Sequence, residues 1–219
     1  MNQPRMNIFA FAHKGLRLAL SKLTVLAGKT DYANEVSLEA VKNLTAEILE
    51  LLHLHAEAED TVVLPALDER VPGSTDQIVA DHKELESSIA VFSAQLDAIT
   101  PASPPGQGAG FYVALFHFYA NYLIHMSMEE TEVNPLIWDN FTDEEIMTWQ
   151  GKITSGLTAE QVVKFYKYMV PALNPQERVM LLSGFKANAP EALFDSIMTM
   201  LELNMLDQEY AQLKSSLIS

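Results

Sequence analysis

The chain has 219 residues, 48% of them hydrophobic, a formal net charge of −15 and no cysteine. Absence of thiols excludes disulfides, thiolate metal sites and cysteine nucleophiles. So acidic a composition argues against nucleic acid and anionic membrane as partners, because both require basic patches.

A sizeable core is within reach of this length. The opening stretch MNQPRMNIFAFAHKG has no signal-peptide h-region, and no apolar run approaches the ~18 residues of a membrane span. A soluble, cytoplasmic protein is therefore expected. The acidity has two readings, solubility and attraction of cations, and net charge alone does not choose.

β-Branched alternation is scarce and stripes of 3.6-residue period recur, which predicts an all-α fold. The first stripe is Phe9, His13, Leu16, Leu20 and Leu23, ending near Gly28. The second starts at about Ser37 as N-cap and carries Val41, Leu44, Ile48, Leu51, His55, Glu59, Val62 and Ala66. Pro65 is expected to kink or loosen its last turn. The third carries Ile78, His82, Leu85, Ile89, Phe92, Leu96 and Ile99, and the Gly- and Pro-rich stretch 100–110 reads as a flexible connection. The fourth carries Phe111, Leu115, Phe118, Tyr122, His125, Glu129, Val133 and Leu136. Four such helices with short connections predict an antiparallel up-down four-helix bundle over residues 1–140.

Residues 141–219 have a different texture. Thr142-x-x-Glu145, Thr158-x-x-Gln161 and Asn174-Pro175-Gln176-Glu177 are helix-start signatures, and Asn188 to Glu191 suggest a fourth. A C-terminal extension of shorter helices is expected, packed against the bundle or forming a small subdomain. It holds six of the ten methionines, which serve as core filler or as an adaptable partner surface.

Each of the four stripes exchanges an apolar residue for histidine: His13, His55, His82 and His125. Two also carry a glutamate four residues on, Glu59 and Glu129, on the same helix face about one turn away. No stripe contains lysine or arginine. A buried, unpaired carboxylate costs several kcal/mol, so a cation is expected among these six groups. A lone histidine on an apolar face is usually a hydrogen-bonded core residue. Four on separate helices, two with a glutamate one turn on, point to metal. Six such ligands exceed one tetrahedral site, and carboxylates bridge cations, so two ions fit better than one. Nitrogen and oxygen ligands suit iron, manganese or zinc. His53 and His117 lie off the stripes and are expected outside the site. Tyr122, one turn before His125, either orients that histidine from behind or simply fills the stripe.

Taken together, Phe9-Ala-Phe-Ala-His13-Lys-Gly-Leu-Arg17, His55-Ala-Glu-Ala-Glu59-Asp60-Thr-Val-Val-Leu-Pro65, Asp81-His82-Lys-Glu-Leu85 and His125-Met-Ser-Met-Glu129-Glu130-Thr-Glu-Val-Asn-Pro135 resemble the hemerythrin family, in its HHE cation-binding branch. The resemblance covers roughly residues 5–140. It implies two iron ions with a bridging oxo or hydroxo group, His13, His55, His82 and His125 as terminal ligands, and Glu59 and Glu129 as bridging carboxylates. Oxygen-carrying members place a second histidine four residues after the third-helix one. Here that position is Glu86, either a further ligand or a solvated surface glutamate. Their last acid falls five residues after its histidine, at Glu130 here, but Glu129 has the better stripe position. From about residue 143 the chain resembles helical segments that follow such domains in plant iron regulators.

The implied function is a non-haem di-iron protein that binds or senses a small ligand, O2 or NO, or iron. The alternative is a di-iron enzyme or iron-repair protein: an oxidase, peroxide or NO chemistry, or iron–sulfur cluster repair. No flavin, nicotinamide or phosphate motif appears, so a conventional enzyme is the lesser expectation. A protein partner through residues 141–219, with metal as the switch, is a third reading.

Overall fold

The computed structural model describes residues 5–218, and among them every regular element is helical. Residues 1–4 of the expected bundle and Ser219 of the expected extension lie outside the described residues. Helix α1 is Ala10–Lys29. Helix α2 runs Glu35–Ala58, passes through a π-helical turn at Glu59–Val63 and continues as Leu64–Arg70. Helix α3 is Asp76–Ala98. Helix α4 repeats the design of α2, with Pro105–Met128, a π-helical turn at Glu129–Val133, then Asn134–Asn140. Helix α1 packs on α2 and α4, and α3 on the same two, which closes a four-helix ring.

Two apolar clusters fill the ring. One contains Leu16, Leu20, Leu51, Leu85, Phe92, Phe118, Tyr122 and Met126. The other contains Phe9, Val63, Leu67, Ile78, Val133 and Ile137. On every helix the predicted histidine lies between a residue of one cluster and a residue of the other. The polar seam is therefore a layer sandwiched between two dry ones.

Two local expectations are corrected. The N-cap of α2 is Asn34, whose side-chain oxygen accepts the Ser37 N–H at 3.0 Å, three residues ahead of the expected Ser37. The connection expected at 100–110 closes by residue 104, because Pro105 starts a helix well at its first turn. Gly108 is then buried in α4, where a Cβ would come within 2.5 Å of the Tyr32 ring. Glycine there serves close packing rather than flexibility. Pro65 stands, as expected, beside a loosened turn. Lacking an N–H and crowding the carbonyl four residues back, it follows a widened turn in which the Leu64 N–H reaches Glu59 O. Pro135 follows the same turn, with the Asn134 N–H on Glu129 O.

Beyond the ring lie α5 (Asp143–Gly156), α6 (Ala159–Ala172), α7 (Pro175–Asn188), α8 (Glu191–Asn204) and α9 (Asp207–Ile218). The first four have 14 residues each and are joined by two-residue links, so helices start at a constant interval of 16. Complete capping boxes form at Thr142/Glu145, Thr158/Gln161 and Asn174/Glu177. The fourth start, after Pro190, has no side-chain cap.

Ile146 and Trp149 of α5 join the Phe9 cluster. Helix α6 lies along α1, where a Cβ on Gly15 would come 2.9 Å from Met169 Cα. Ion pairs flank that contact: Lys14–Glu177 at 2.6 Å, Lys164–Glu50 at 2.8 Å and Lys167–Glu47 at 2.7 Å. Helices α6 to α9 build a third cluster from Val162, Tyr166, Leu182, Ile197, Leu201 and Leu213. The methionines divide: Met205 is buried in this cluster, whereas Met147 and Met180 are exposed. Among the described residues, no helix is long and apolar enough to cross a membrane.

Candidate metal centre

His13 of α1, His55 and Glu59 of α2, His82 of α3, and His125 and Glu129 of α4 converge in the polar layer. All six are buried, none above 9% exposure. Helical geometry explains the convergence. A histidine and a glutamate four apart share a face, and the apolar residues above and below fix that face inward.

The histidines form two pairs. His13 and His55 bring their Nε2 atoms within 3.1 Å, and the rings of His82 and His125 lie 4.8 Å apart between centroids. The glutamates stand between the pairs and divide their oxygens. Glu59 Oε1 is 3.1 Å from His55 Nε2, while its Oε2 is 3.4 Å from His82 Nε2. Glu129 Oε2 is 3.3 Å from His13 Nε2, while its Oε1 is 3.3 Å from His125 Nε2. One ligand atom each from His13, His55, Glu59 and Glu129 falls within 4.8 Å of the others, and so it does for Glu59, His82, His125 and Glu129. Both carboxylates belong to both groups.

The outer nitrogens are held as well. His13 Nδ1 meets Glu130 Oε1 at 2.8 Å, and Glu130 is forked by Arg17, Nη1 to Oε1 at 2.7 Å and Nη2 to Oε2 at 3.0 Å. His82 Nδ1 meets Asp60 Oδ1 at 2.8 Å. His125 Nδ1 is 3.9 Å from Asp81 Oδ2, too far for a hydrogen bond. Each acid that grips a neighbour's histidine directly follows an inward glutamate, Glu130 after Glu129 and Asp60 after Glu59. One step along a helix turns a side chain by about 100°, from the seam toward the next helix of the ring.

Charges in the layer are strongly coupled. Burial alone would lower His13, but the carboxylates of Glu129, Glu130 and Glu59 raise its pKa to about 10. His82 likewise resists burial, and Glu129, Glu59 and Asp60 raise it to about 11. Burial lowers His55. Glu59 would be raised by burial, but the surrounding histidines hold it well below the usual carboxylate range. Glu130, opposed by burial but bonded to His13 and Arg17, falls to about 2.

Other residues considered from the sequence lie elsewhere. Glu86, His53 and His117 are exposed, and Glu86 belongs to neither four-residue group. Glu130 stands outside the inward layer, on His13. The Tyr122 ring centre is 5.8 Å from that of His125, and burial together with the charges of Glu59 and Glu129 raises its hydroxyl pKa. Asp60, Arg17 and Asn134 were not singled out by sequence reasoning. Asn134 is wholly buried and neither amide atom finds a partner among the described residues. For Asp60 the signal was present, as an acid follows the glutamate in both His-x3-Glu motifs.

The donor set fits bound cations. Among the described residues, both oxygens of Glu59 and of Glu129 and the Nε2 of His82 are buried with no hydrogen-bond partner. No lysine or arginine pairs with either glutamate among the described residues. Imidazole nitrogens and carboxylate oxygens without sulfur are ligands for iron, manganese or zinc.

Comparison with known proteins agrees with this chemistry. A zinc finger protein, BRUTUS-like, of Arabidopsis thaliana is 24% identical over 192 residues, covering 85% of this chain and 15% of its own length. The chain thus spans a small part of that relative, and the alignment is longer than the bundle, so it takes in part of the C-terminal helices. No solved structure matches. The hemerythrin HHE cation-binding domain matches residues 6–137, which take in all six inward histidines and glutamates. This chain therefore belongs to the hemerythrin HHE cation-binding family.

Proposed function

We propose that the layer holds two iron ions, one between His13 and His55 and one between His82 and His125, with Glu59 and Glu129 shared. The protein would use them to bind or sense a small diatomic ligand such as O2 or NO. The observation that carries this reading is the division of oxygens: each glutamate offers one oxygen to each histidine pair. A single-ion site has no use for that arrangement.

When bound, the ions would supply redox chemistry and an open position for a small ligand. The chain's residues do the rest. His13, His55, His82 and His125 hold the ions and set their spacing. Glu130 and Asp60 fix the ring orientation of His13 and His82 through Nδ1, so that Nε2 faces inward. The apolar layers above and below restrict water. Burial of all six ligands limits whatever reaches them to a few atoms, which favours binding or sensing over turnover of a larger substrate. The C-terminal helices, docked on α1, are the proposed surface for a protein partner.

Metal analysis and an optical spectrum of protein from iron-supplemented cells test the reading. About two irons per chain and a charge-transfer band that changes reversibly with O2 or NO are expected. One zinc per chain, or no metal, overturns it. Steady turnover of peroxide or NO with a reductant would favour the enzymatic alternative.

A further inference from the structure

The two halves of the ring repeat one pattern. His13-Lys14-Gly15-Leu16-Arg17 on α1 corresponds to His82-Lys83-Glu84-Leu85-Glu86 on α3. His55 through Pro65 corresponds to His125 through Pro135, including the π turn and the outward acid. Under this symmetry Glu130 is to His13 what Asp60 is to His82. Around the outer acids the two halves differ in charge, because Arg17 corresponds to Glu86.

The consequence is visible around the outer acids. Arg17 forks both oxygens of Glu130, and that carboxylate is 26% exposed. Asp60 has no lysine or arginine partner among the described residues, is 46% exposed, and has His82 as its one bonded neighbour. Both acids aim a ligating imidazole, and outer partners of this kind typically govern metal affinity by about 10- to 100-fold. A carboxylate locked by a bidentate guanidinium holds its imidazole in one orientation. One shared with water does so less often.

Resting on the two-ion reading, we propose that Arg17 is a positioning residue that makes the metal positions unequal. The ion between His13 and His55 is bound first and more tightly, and the ion between His82 and His125 is the exchangeable one. Electrostatics offers a counterweight, since Asp60 keeps a net negative charge that Arg17 cancels at Glu130. That charge is about half exposed, and water screens most of the interaction of such a group. Ordering of the imidazole therefore dominates.

The test is titration of the metal-free full chain with ferrous ion under anaerobic conditions, followed by calorimetry and native mass spectrometry. Two steps at least 10-fold apart are expected for the unmodified protein. Arg17→Ala should weaken the tighter step about 10-fold and leave the weaker one in place. Arg17→Lys, which keeps the charge but not the fork, should recover part of the loss. Asp60→Asn, at a half-exposed position that tolerates change, should weaken the second step alone. Two equal steps in the unmodified protein overturn the proposal but not the two-ion reading, and so does equal weakening of both steps by Arg17→Ala. Uptake of fewer than two ions overturns both.

Discussion

At the scale of single residues, protons and metal ions compete for the same layer. His13 and His82, one from each histidine pair, are the two histidines whose pKa values are raised, to about 10 and about 11, despite their burial. An imidazolium on each side is the proton's answer to two buried carboxylates. A histidine raised above its unfolded value of about 6.5 gives stability that is complete below that value and is lost as pH climbs through the folded pKa. The metal-free protein should therefore lose stability steadily from about pH 7 to pH 10. Metal binding requires the same imidazoles to be deprotonated, so affinity should rise over that window, with about two protons released per loaded chain. Urea unfolding of both forms from pH 6.5 to 9.5, with calorimetry in buffers of different ionisation enthalpy, checks this. Parallel pH trends for the two forms would refute the exchange. Asn134 is a second residue-scale case. Its symmetry counterpart is Leu64, and its amide has no partner among the described residues. Asn134→Leu should stabilise the metal-free protein by about 1–2 kcal/mol by removing a buried polar group that nothing satisfies. A loss of stability would mean that the amide is engaged.

At the scale of elements, close approach of backbones decides how the C-terminal region sits. Gly15 is two residues after His13 on α1 and meets the Cα, N and Cβ of Met169. A methyl group there would push against main-chain atoms and the Cβ fixed to them, which do not swing aside as a side-chain end would. Gly15→Ala should cost about 1–3 kcal/mol, read as a lower urea midpoint, even though alanine is the better helix former. An unchanged or raised midpoint would show that α6 can lift away freely. This contact was illegible in the sequence, because it joins positions 154 residues apart. The helices themselves were largely legible, since 3.6-residue stripes and capping boxes are local signals. The six inward histidines and glutamates could be named from the stripes alone. The contacts of Asp60 and Glu130 were not legible there, since both lie about 100° off the stripe, although the acid that follows the glutamate in both His-x3-Glu motifs was a signal for them. The stretch 100–110 misled for the opposite reason. Gly and Pro punctuate loops, but here the proline opens α4 and Gly108 makes room for Tyr32.

At the scale of the whole molecule, the C-terminal helices complete the bundle's core. Ile146 and Trp149 fill the cluster below the metal layer, and Tyr168 joins the cluster above it. Burial of each large apolar side chain contributes about 1.5–3 kcal/mol, so losing three removes several kcal/mol. A domain's entire margin is only about 5–15 kcal/mol. The bundle also carries the polar layer, whose two carboxylates are buried with no lysine or arginine partner among the described residues. A chain ending at residue 142 should then be poorly folded without metal. Ions bind the folded state and add stability that grows with the logarithm of their concentration. The shortened chain should therefore gain helix as ferrous or zinc ion is added, whereas the full chain keeps its helix with or without metal. Circular dichroism across a metal titration of both chains distinguishes the cases. A shortened chain fully helical in the presence of a chelator would show that the ring stands alone, with the C-terminal helices as a separate attachment.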